Sequence, residues 1–247
     1  MPRRPLAIYR HSSRQGKPFS PREAAESIAW KRADFLAHKH PGSVLHYFLE
    51  YGRAKALEVG APRLRHVTPP SAYRTADIEN IIRYGATFLA THQKKTLHTK
   101  EGPSYEIALG ASGNESLVGL RITHENHSFP HFVLQLGFER KTIIVEAMQG
   151  QRPQNEIRAL NHALGEPCAN RLLRELEEHA RKNGFKTIKI RTPESLHYYQ
   201  WPLASAKDKE EKERKVKAIR ASMHALYGLV AKTMGYKKKG AFFIRTL

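Results

Sequence analysis

Two spacings of apolar residues divide the chain into a helical first part and a second part that begins with strands. Up to residue 97, apolar positions recur every three or four residues, which predicts helices over residues 20–38, 43–59 and 75–92. Their predicted buried side chains are Ile28, Phe35, Leu36, Leu45, Phe48, Leu49, Leu57, Ile78, Ile81, Ile82, Phe88 and Leu89. Residues 1–97 are therefore predicted to form a helical N-terminal region with a loose, basic start.

From Tyr105 the spacing shortens to about two residues, which is the period of a strand with one buried face. This pattern predicts strands over residues 105–109, 117–124, 131–138 and 142–148. Because the connections between them are short, we expect an antiparallel meander.

The helical period returns after the last of these strands. Helices are predicted over residues 155–164 and 167–183, followed by a strand over residues 186–190. A strand, a helical connection and a second strand form a βαβ crossover, which pairs the two strands in parallel. A charged run then continues as a helix to residue 233, and residues 241–246 form a last strand.

These elements predict an α/β (α+β) domain over residues 98–247. Its sheet is expected to be mixed but largely antiparallel, with roughly six or seven strands and one βαβ crossover. The helical region of residues 1–97 precedes it.

The charge of the chain adds a class of partner. There are 42 lysines and arginines against 23 acidic residues, which gives a formal net charge of +19. Such an excess concentrates RNA, DNA or acidic lipid near the surface, although no helix-turn-helix, zinc-finger or RNP-type motif is present. The residues expected to contact nucleic acid are Lys189, Arg191, Lys237, Lys238, Lys239 and Arg245. The alternative is an ordinary basic surface without a specific partner.

Composition disfavours several other classes. No apolar run approaches the ~18 residues of a spanning helix, and the first ten residues carry no apolar leader, so we expect a cytoplasmic protein. The single cysteine, Cys168, excludes an internal disulfide and a cysteine-rich zinc site. Its place near a helix start predicts a lowered thiol pKa, with core packing as the alternative.

Two groups of ring side chains come under consideration as sites. His124, His127 and His131 span a predicted hairpin loop, so we interpret them as surface residues and predict no metal site. A cluster follows the strand over residues 186–190 and either lines a channel or packs over the core. Its members are His197, Tyr198, Tyr199 and Trp201.

Two segments resemble the GNAT family of acyltransferases. Residues 172–190 are similar to the helix and strand that follow the acyl-CoA loop in that family. Residues 231–240, Ala-Lys-Thr-Met-Gly-Tyr-Lys-Lys-Lys-Gly, are similar to its closing helix, Leu-Gly-Phe turn and strand. The order of elements from Tyr105 also fits, with an extra helix before the loop. The resemblance implies a GNAT-like fold and an acyltransferase that uses acyl-CoA.

A shorter motif resembles the VirK/YbjX family, a bacterial family without a settled biochemical activity. A strand ends in Met148-Gln149-Gly150, a helix with the sequence Glu-Ile-Arg-Ala-Leu follows, and the next helix begins with Gly165-Glu-Pro-Cys. His197 fits the same pattern. This resemblance covers roughly residues 100–245.

The GNAT resemblance implies two catalytic groups. The strand over residues 142–148 often carries a general base in that family, and Glu146 is the carboxylate there. The general acid is usually a tyrosine of the last helix, where this chain has Ala231, so Tyr227 one turn earlier is the substitute. The alternatives are that Glu146 faces solvent and that Tyr227 packs in the core.

Two segments are candidates to hold acyl-CoA. A GNAT loop has Gln or Arg, two residues, then Gly-x-Gly or Gly-x-Ala, whose amides approach the pyrophosphate. In the matching segment, Pro167 removes a donor and Glu166 adds negative charge, so that Gly165 and Ala169 remain as the candidate contacts. The second candidate cradle is Gln149, Gly150, Gln151 and Arg152, and a turn that only redirects the chain is the alternative.

Two hypotheses follow from these features. The first is a GNAT-like acyltransferase relative whose acyl-CoA site is degenerate. The second is a non-catalytic basic protein that binds RNA, DNA or another polyanion. Binding of CoA would favour the first, and polyanion binding that weakens with salt would favour the second.

Overall fold

The described part of the protein consists of two compact units. The computed structural model describes residues 21–41, 43–46, 49, 80–99, 102–111, 116, 118–125, 127, 129–196, 199 and 209–247. Of these, the residues up to Thr91 belong to the first unit and those from His92 onward to the second. Some predicted features lie outside the described residues: Phe48, Leu57, Ile78, His197, Tyr198 and Trp201.

The first unit is helical. Helix α1 spans Pro21–Lys39, residues 44–46 and 49 are helical, and the π-helix Ile81–Gly85 leads into helix α2, Ala86–Thr91. Six predicted core side chains are confirmed as buried: Leu45, Leu49, Ile81, Ile82, Phe88 and Leu89.

Helix α1 differs from the prediction in the face that it buries. Ile28 and Phe35 are 66% and 58% exposed, whereas the small side chains of Ala33 and Ala37 are buried. Helix α1 packs against the π-helix and α2, and Arg32 donates a hydrogen bond to Thr87 at 3.1 Å. Small side chains let helices approach closely, and a pattern based on large apolar residues misses such a face.

The second unit is built on one sheet of eight described strands. The strands are β1 (Lys95–Leu97), β2 (Tyr105–Ala111), β3 (Val118–His124), β4 (Phe132–Glu139), β5 (Thr142–Gly150), β6 (Thr187–Arg191), β7 (Lys237–Lys239) and β8 (Phe242–Thr246). Their order across the sheet is β1-β2-β3-β4-β5-β6-β8-β7. All neighbours pair antiparallel except β5 and β6, which are parallel.

The predicted meander and crossover are therefore confirmed, and two edge strands are added to them. Strands β1 and β7 have only three residues each, too few to show a period of two. The first lies inside the region that we predicted to be helical, and the second consists of three lysines. Both exist because β2 and β8 present an edge with which they can pair.

Three helices complete the described part of this unit: α3 (Gln154–Leu164), α4 (Cys168–Lys182) and α5 (Lys209–Thr233). Helices α3 and α4 together connect β5 to β6. The turn between them is closed by Gly165 at φ 69°, a backbone conformation that glycine adopts without strain. Within the described ranges, no helix combines the length and the apolarity needed to cross a bilayer.

The strand register sorts side chains onto two faces of the sheet. Arg245 pairs with Ile188 and contacts Glu177 of α4, so this side is the α4 face. It carries the buried core residues of the strands: Leu134, Leu136, Ile143, Val145, Ile188 and Ile190. The opposite side, the polar face, carries Gln135, Gly137, Ile144, Glu146, Lys189 and Arg191.

Candidate functional site

Strands β5 and β6 pair only over their first halves. The parallel register runs from Thr142 opposite Thr187 to Val145 opposite Ile190, and β5 then continues to Gly150. Its other edge stays paired with β4 as far as Gly150. Among the described residues, the β6-side edge of β5 has no strand partner beyond Val145, and we call this place the β5–β6 gap. Carboxyl ends of parallel strands are where α/β sheets usually bind ligands.

A β-bulge lies at the start of the gap. Gln135 and Leu136 are consecutive on β4, but their partners on β5 are Ala147 and Val145, which leaves Glu146 as the extra residue. The Glu146 carboxylate lies over Gly137, where a Cβ atom would stand 2.5 Å from its Oε1. Bulges re-aim side chains and are frequent beside active sites. Residue 137 therefore has to be glycine for Glu146 to keep this position.

Glu146 is held by an arginine. Arg191, on the next strand, donates a hydrogen bond from Nε to the Glu146 Oε2, and the Glu146 side chain is 17% exposed. The predicted base is therefore neither open to solvent nor isolated in an apolar strand. It can accept a proton from a substrate only where Arg191 leaves one of its oxygens accessible.

Tyr227 reaches the gap from α5. Its hydroxyl oxygen accepts a hydrogen bond from the Met148 N–H at 2.7 Å and donates to the Met148 carbonyl oxygen at 3.4 Å. The side chain is 1% exposed. The tyrosine satisfies backbone groups of β5 that have lost a strand partner. Its hydroxyl is thus engaged in packing α5 against β5, as the alternative interpretation of this residue required.

The segment from Gly165 to Ala169, at the start of α4, is already bonded or covered by other residues of the chain. The Cys168 N–H donates to Asn161 Oδ1 at 2.8 Å, and Ala169 is buried. Glu166 forms ion pairs with Arg174 and, at 4.0 Å, with Arg171. A carboxylate held by arginines at a helix N-terminus occupies the kind of position that a phosphate would take.

The second predicted cradle leads from β5 to α3. Gln149 accepts a hydrogen bond from Gln135 at 3.4 Å, Gly150 pairs with Phe132, and the Gln151 N–H donates to the His131 carbonyl at 2.9 Å. Arg152 Nε lies 3.9 Å from Glu156 Oε2. The N-cap residue of α3 is Pro153, whose side chain cannot accept a hydrogen bond from the first amides of the helix. At the start of α4, by contrast, Asn161 accepts one from the Cys168 N–H.

The histidines that we interpreted as surface residues form a cluster with one buried member. Ring centroids of His124 and His127 are 4.7 Å apart, and those of His127 and His131 are 6.2 Å apart. His131 is 5% exposed, so the interpretation was wrong for this residue. Burial lowers the pKa of His131, and the nearby charge of Arg152 lowers it further.

Neither a metal site nor a reactive thiol is found among the described side chains. No group of three or more His, Cys, Asp and Glu in that part of the chain is arranged to hold a metal ion. Cys168 is buried, so the core-packing interpretation is confirmed, and burial raises the pKa of its thiol to about 12 instead of lowering it. The apolar surroundings of the thiol outweigh its place at a helix start.

The six basic residues predicted to contact nucleic acid do not share one surface. Lys237 is in register with Ile244 and Lys239 with Phe242, which places both on the polar face with Lys189 and Arg191. Lys189 and Arg191 lie 5.6 Å and 5.3 Å from the centroid of the Phe242 ring.

The other two basic residues lie elsewhere. Lys238, between the two exposed lysines, approaches Glu194 at 3.8 Å. Arg245 is on the α4 face, where it donates to Glu177 at 2.9 Å and to the Met234 carbonyl at 2.6 Å. The register between β6 and β8, which alternation within each strand does not give, separates Arg245 from Lys189 and Arg191.

One group near the gap was not predicted. The Tyr199 hydroxyl is 2.9 Å from His224 Nε2, and His224 Nδ1 is 3.8 Å from Glu194 Oε1. Only Tyr199 was singled out by the sequence, as part of an aromatic cluster. Its partners lie 5 residues before it and 25 residues after it, so no local motif could have joined them.

Several of the predicted site residues lie around the end of β5. Glu146, Gln149, Gly150 and Tyr227 belong to the gap or to its walls. Compared with models of protein families, with curated proteins and with solved structures, the chain matches none. What the protein does therefore has to be inferred from the geometry of these residues.

Proposed function

We propose that the protein is a GNAT-like acyltransferase relative that holds an acyl-CoA in the β5–β6 gap. The observation that carries this proposal is the loss of parallel pairing after Val145, with a bulged carboxylate at the point of divergence. The gap combines unpaired strand edge, a polar wall and an adjacent helix N-terminus. Those are the parts that a cofactor with amides and phosphates requires.

The topology of the sheet supports the proposal. An antiparallel meander, one parallel pair and a final hairpin inserted beside β6 give the order β1-β2-β3-β4-β5-β6-β8-β7. The resemblance of the sequence to GNAT proteins implies the same succession of strand, helical crossover, strand, helix and final strand. The extra helix α3 and the edge strand β1 are additions to that succession.

The backbone of β5 supports a ligand with amide groups. Met148 turns its N–H toward the gap, since Tyr227 bonds it there. Gly150 is two residues further along the strand and therefore presents its backbone in the same direction. The pantetheine arm of CoA carries amides that can pair with such an edge as an additional strand would.

The start of α3 is the better place for the phosphates. It follows β5 directly, its N-cap residue Pro153 has no side chain that can cap it, and the Arg152 side chain is 25% exposed. At the start of α4, by contrast, the ion-paired carboxylate of Glu166 stands in the way. Of the two predicted cradles, we therefore assign the diphosphate to Gln149–Arg152 rather than to Gly165–Ala169.

Binding is tested by thermal unfolding with CoA, acetyl-CoA and a longer acyl-CoA. A ligand at 100 times its Kd stabilises a protein by about 2.7 kcal/mol, so we expect a saturable rise in Tm. Arg152→Ala should weaken binding by about tenfold or more, because a charge-assisted contact is worth about 1.5–3 kcal/mol.

The matched control is Arg158→Ala, an exposed arginine of the same helix, which should leave the titration unchanged. Saturating CoA and acyl-CoA without any rise in Tm would contradict the proposal. An equal loss in both variants would place the phosphates elsewhere.

A second candidate function has an observation of its own, the surface around Phe242. Two cations lie over its ring, and the exposed Lys237 and Lys239 flank it in register. An aromatic ring among basic residues suits stacking of a nucleic-acid base with phosphates on either side.

Anisotropy of a short single-stranded RNA tests this surface at two salt concentrations. The double variant Lys237→Glu/Lys239→Glu should lose most of the salt-sensitive affinity, because it reverses two of the phosphate contacts. Lys186→Glu, an exposed residue before β6, is the control. RNA binding that is equal in all three proteins would exclude the Phe242 surface.

A further inference from the structure

Three polar side chains lie in line beside the end of β6. The Tyr199 hydroxyl is 2.9 Å from His224 Nε2, and the two rings meet edge to face with centroids 5.6 Å apart. The other ring nitrogen of His224, Nδ1, is 3.8 Å from Glu194 Oε1. When Tyr199 donates to Nε2, the imidazole carries its proton on Nδ1 and turns it toward the carboxylate.

The line stands next to the β5–β6 gap. Glu194 lies in the short 3-10 helix Pro193–Ser195 that follows β6, three residues after Arg191. His224 is one helical turn before Tyr227 on α5, and residues three apart share a helix face. Tyr227 itself reaches Met148 inside the gap. Glu194 and His224 are therefore carried by the two elements on the β6 side of the gap, and Tyr199 is joined to the second of them by its contacts with His224 and Arg220.

Acyl transfer at this place needs a proton acceptor that is not already engaged. Glu146 accepts a hydrogen bond from Arg191, and the Tyr227 hydroxyl is bonded to both backbone groups of Met148. Tyr199 and His224 are bonded to each other and lie at the surface, with the His224 side chain 46% exposed. A substrate can thus approach the phenolic oxygen without breaking a buried contact.

We propose that Tyr199, His224 and Glu194 form a proton relay that serves the acyl acceptor, a conclusion that rests on the proposed acyltransferase function. The acceptor amine attacks the thioester carbonyl, a C–N bond forms and the C–S bond breaks. The amine proton moves to the Tyr199 oxygen while the tyrosine proton moves to His224 Nε2. The relay then returns one proton through Tyr199 to the departing thiolate, so the products are an amide and free CoA.

The charges around the relay suit this exchange. Glu194 faces the imidazolium that forms, and the pKa of its carboxyl is lowered, first by a hydrogen bond from its own backbone N–H. The Arg220 guanidinium lies 4.8 Å from the centroid of the Tyr199 ring, and Arg220 Nε donates to the Tyr199 carbonyl at 3.3 Å. Lys238 Nζ is 3.8 Å from Glu194 Oε1. The Arg220 guanidinium thus lies beside the ring that would carry negative charge during the exchange.

The relay can be tested without knowledge of the acceptor. N-acetylimidazole acetylates phenolic oxygens, and mass spectrometry of peptides follows each tyrosine separately. We expect Tyr199 to react faster than Tyr84, and His224→Gln to slow Tyr199 by about tenfold or more, because a general base contributes roughly 10²–10⁴. Glutamine still accepts the hydrogen bond, so a purely structural contact would leave the rate unchanged.

Two controls accompany the labelling. His162→Gln, an exposed histidine of α3, should react like the wild type. The second control is the unfolded protein: in urea, Tyr199 should react at the same rate in the wild type and in His224→Gln. Equal rates in wild type and His224→Gln overturn the relay, whatever CoA does.

Release of free thiol from acetyl-CoA in the presence of lysine, spermidine and a lysine-containing peptide separates the two proposals. If His224→Gln keeps the Tm rise with acetyl-CoA but releases thiol at least about tenfold more slowly, both stand. If the Tm rise is kept and thiol release is unchanged, the relay fails alone. If the wild type neither binds acetyl-CoA nor releases thiol, the acyltransferase proposal fails and takes the acceptor role of the relay with it.

Discussion

Two arginine–glutamate pairs lie on opposite faces of the same sheet, and they differ in burial and in their neighbours. We assign the first pair to the stability of the fold and the second to the proposed site. On the α4 face, Glu177 is 3% exposed and accepts hydrogen bonds at 2.9 Å from both Arg245 and the Tyr236 hydroxyl. On the polar face, Glu146 is bonded to Arg191 at the edge of the β5–β6 gap. The first pair is closed by its neighbours, whereas the second lies where the sheet itself comes apart.

The surroundings explain what each pair is suited to do. Arg245 also bonds the Met234 carbonyl, so one guanidinium joins α4, β8 and the turn that follows α5. Burial, together with Glu177, raises the pKa of Tyr236, which keeps its hydroxyl protonated and donating. Arg191 makes no such junction; its other described neighbour is the Phe242 ring. A buried junction of this kind stabilises the fold, whereas an ion pair at the edge of the β5–β6 gap can exchange its partner for another group.

Removing one member of each pair should give the largest difference in stability. Arg245→Met removes the closer of the two arginines that pair with buried Glu177 and leaves Arg181 at 3.7 Å, so it should lower the free energy of unfolding by about 3 kcal/mol. Arg191→Met should cost about 1 kcal/mol or less, because its pair with Glu146 is partly exposed. Urea unfolding of both variants measures this, and similar midpoints would remove the distinction between the two pairs.

Acid should destabilise the fold through two histidines whose pKa values are lowered by burial. Burial lowers the pKa of His92 from 6.5 to about 4. Between these two pH values, His92 is protonated in the unfolded chain and neutral in the folded protein. Stability is therefore complete above pH 6.5 and falls as the pH drops toward 4, by on the order of 3 kcal/mol for a shift of this size. His131 acts in the same direction.

The contribution of His92 is isolated by substitution. Stability of wild type and His92→Gln measured between pH 7.5 and 4 should converge as the pH falls, since the variant lacks the titrating group. Curves that stay parallel over this interval would show that His92 is protonated alike in both states.

Displacing the Glu146 carboxylate without removing it should change the free energy of unfolding by a smaller amount. A Cβ atom on Gly137 would press against the Glu146 Oε1, so Gly137→Ala should push the carboxylate off Arg191 at a cost of about 1 kcal/mol or less. That cost should vanish when Glu146→Ala is made first, which is a double-mutant cycle measured by urea midpoints. Gly228→Ala on α5, where nothing lies within 4 Å, is the control and should stabilise by about 0.5–1 kcal/mol.

The smallest effect is expected for labelling of the Cys168 thiol at the start of α4, where Asn161 already accepts a hydrogen bond from the first N–H of the helix. Cys168 is 2% exposed and its pKa is about 12. Ellman's reagent should therefore label it much more slowly in the native protein than in urea, with no gain between pH 7 and 9. Rapid native labelling would mean that this helix start is open, and it would return Gly165–Ala169 to consideration as a cofactor site.

The sequence predicted what depends on periodicity and missed what depends on register. The meander, the crossover and the long last helix follow from runs of alternating or amphipathic residues, such as Thr142–Gly150 and Cys168–Lys182. The side on which Arg245 points, the partner of Glu146 and the position of Tyr227 all require knowing which residue stands opposite which. Burial of α1 through Ala33 and Ala37 was missed for another reason, because small side chains carry little weight in an apolar pattern.

The candidate site shows the same limit. Glu146 and Gln149–Arg152 could be selected from the sequence because they stand at the end of a strand. The Tyr199, His224 and Glu194 line could not, because its members lie in three separate parts of the chain that only the fold brings together. The bulge gave no signal either, since one extra residue in an apolar strand leaves its composition unchanged.

A hypothetical deletion of Glu146 shows what this extra residue contributes to the strand. With Glu146 deleted, Val145 would still lie opposite Leu136 and Ala147 opposite Gln135, and every later side chain would keep its face. Strand β5 is thus a complete strand with one residue to spare, and that residue is a carboxylate. The pairing of the sheet requires neither its length nor its charge, so the strand pairing alone does not explain why a carboxylate stands beside the β5–β6 gap.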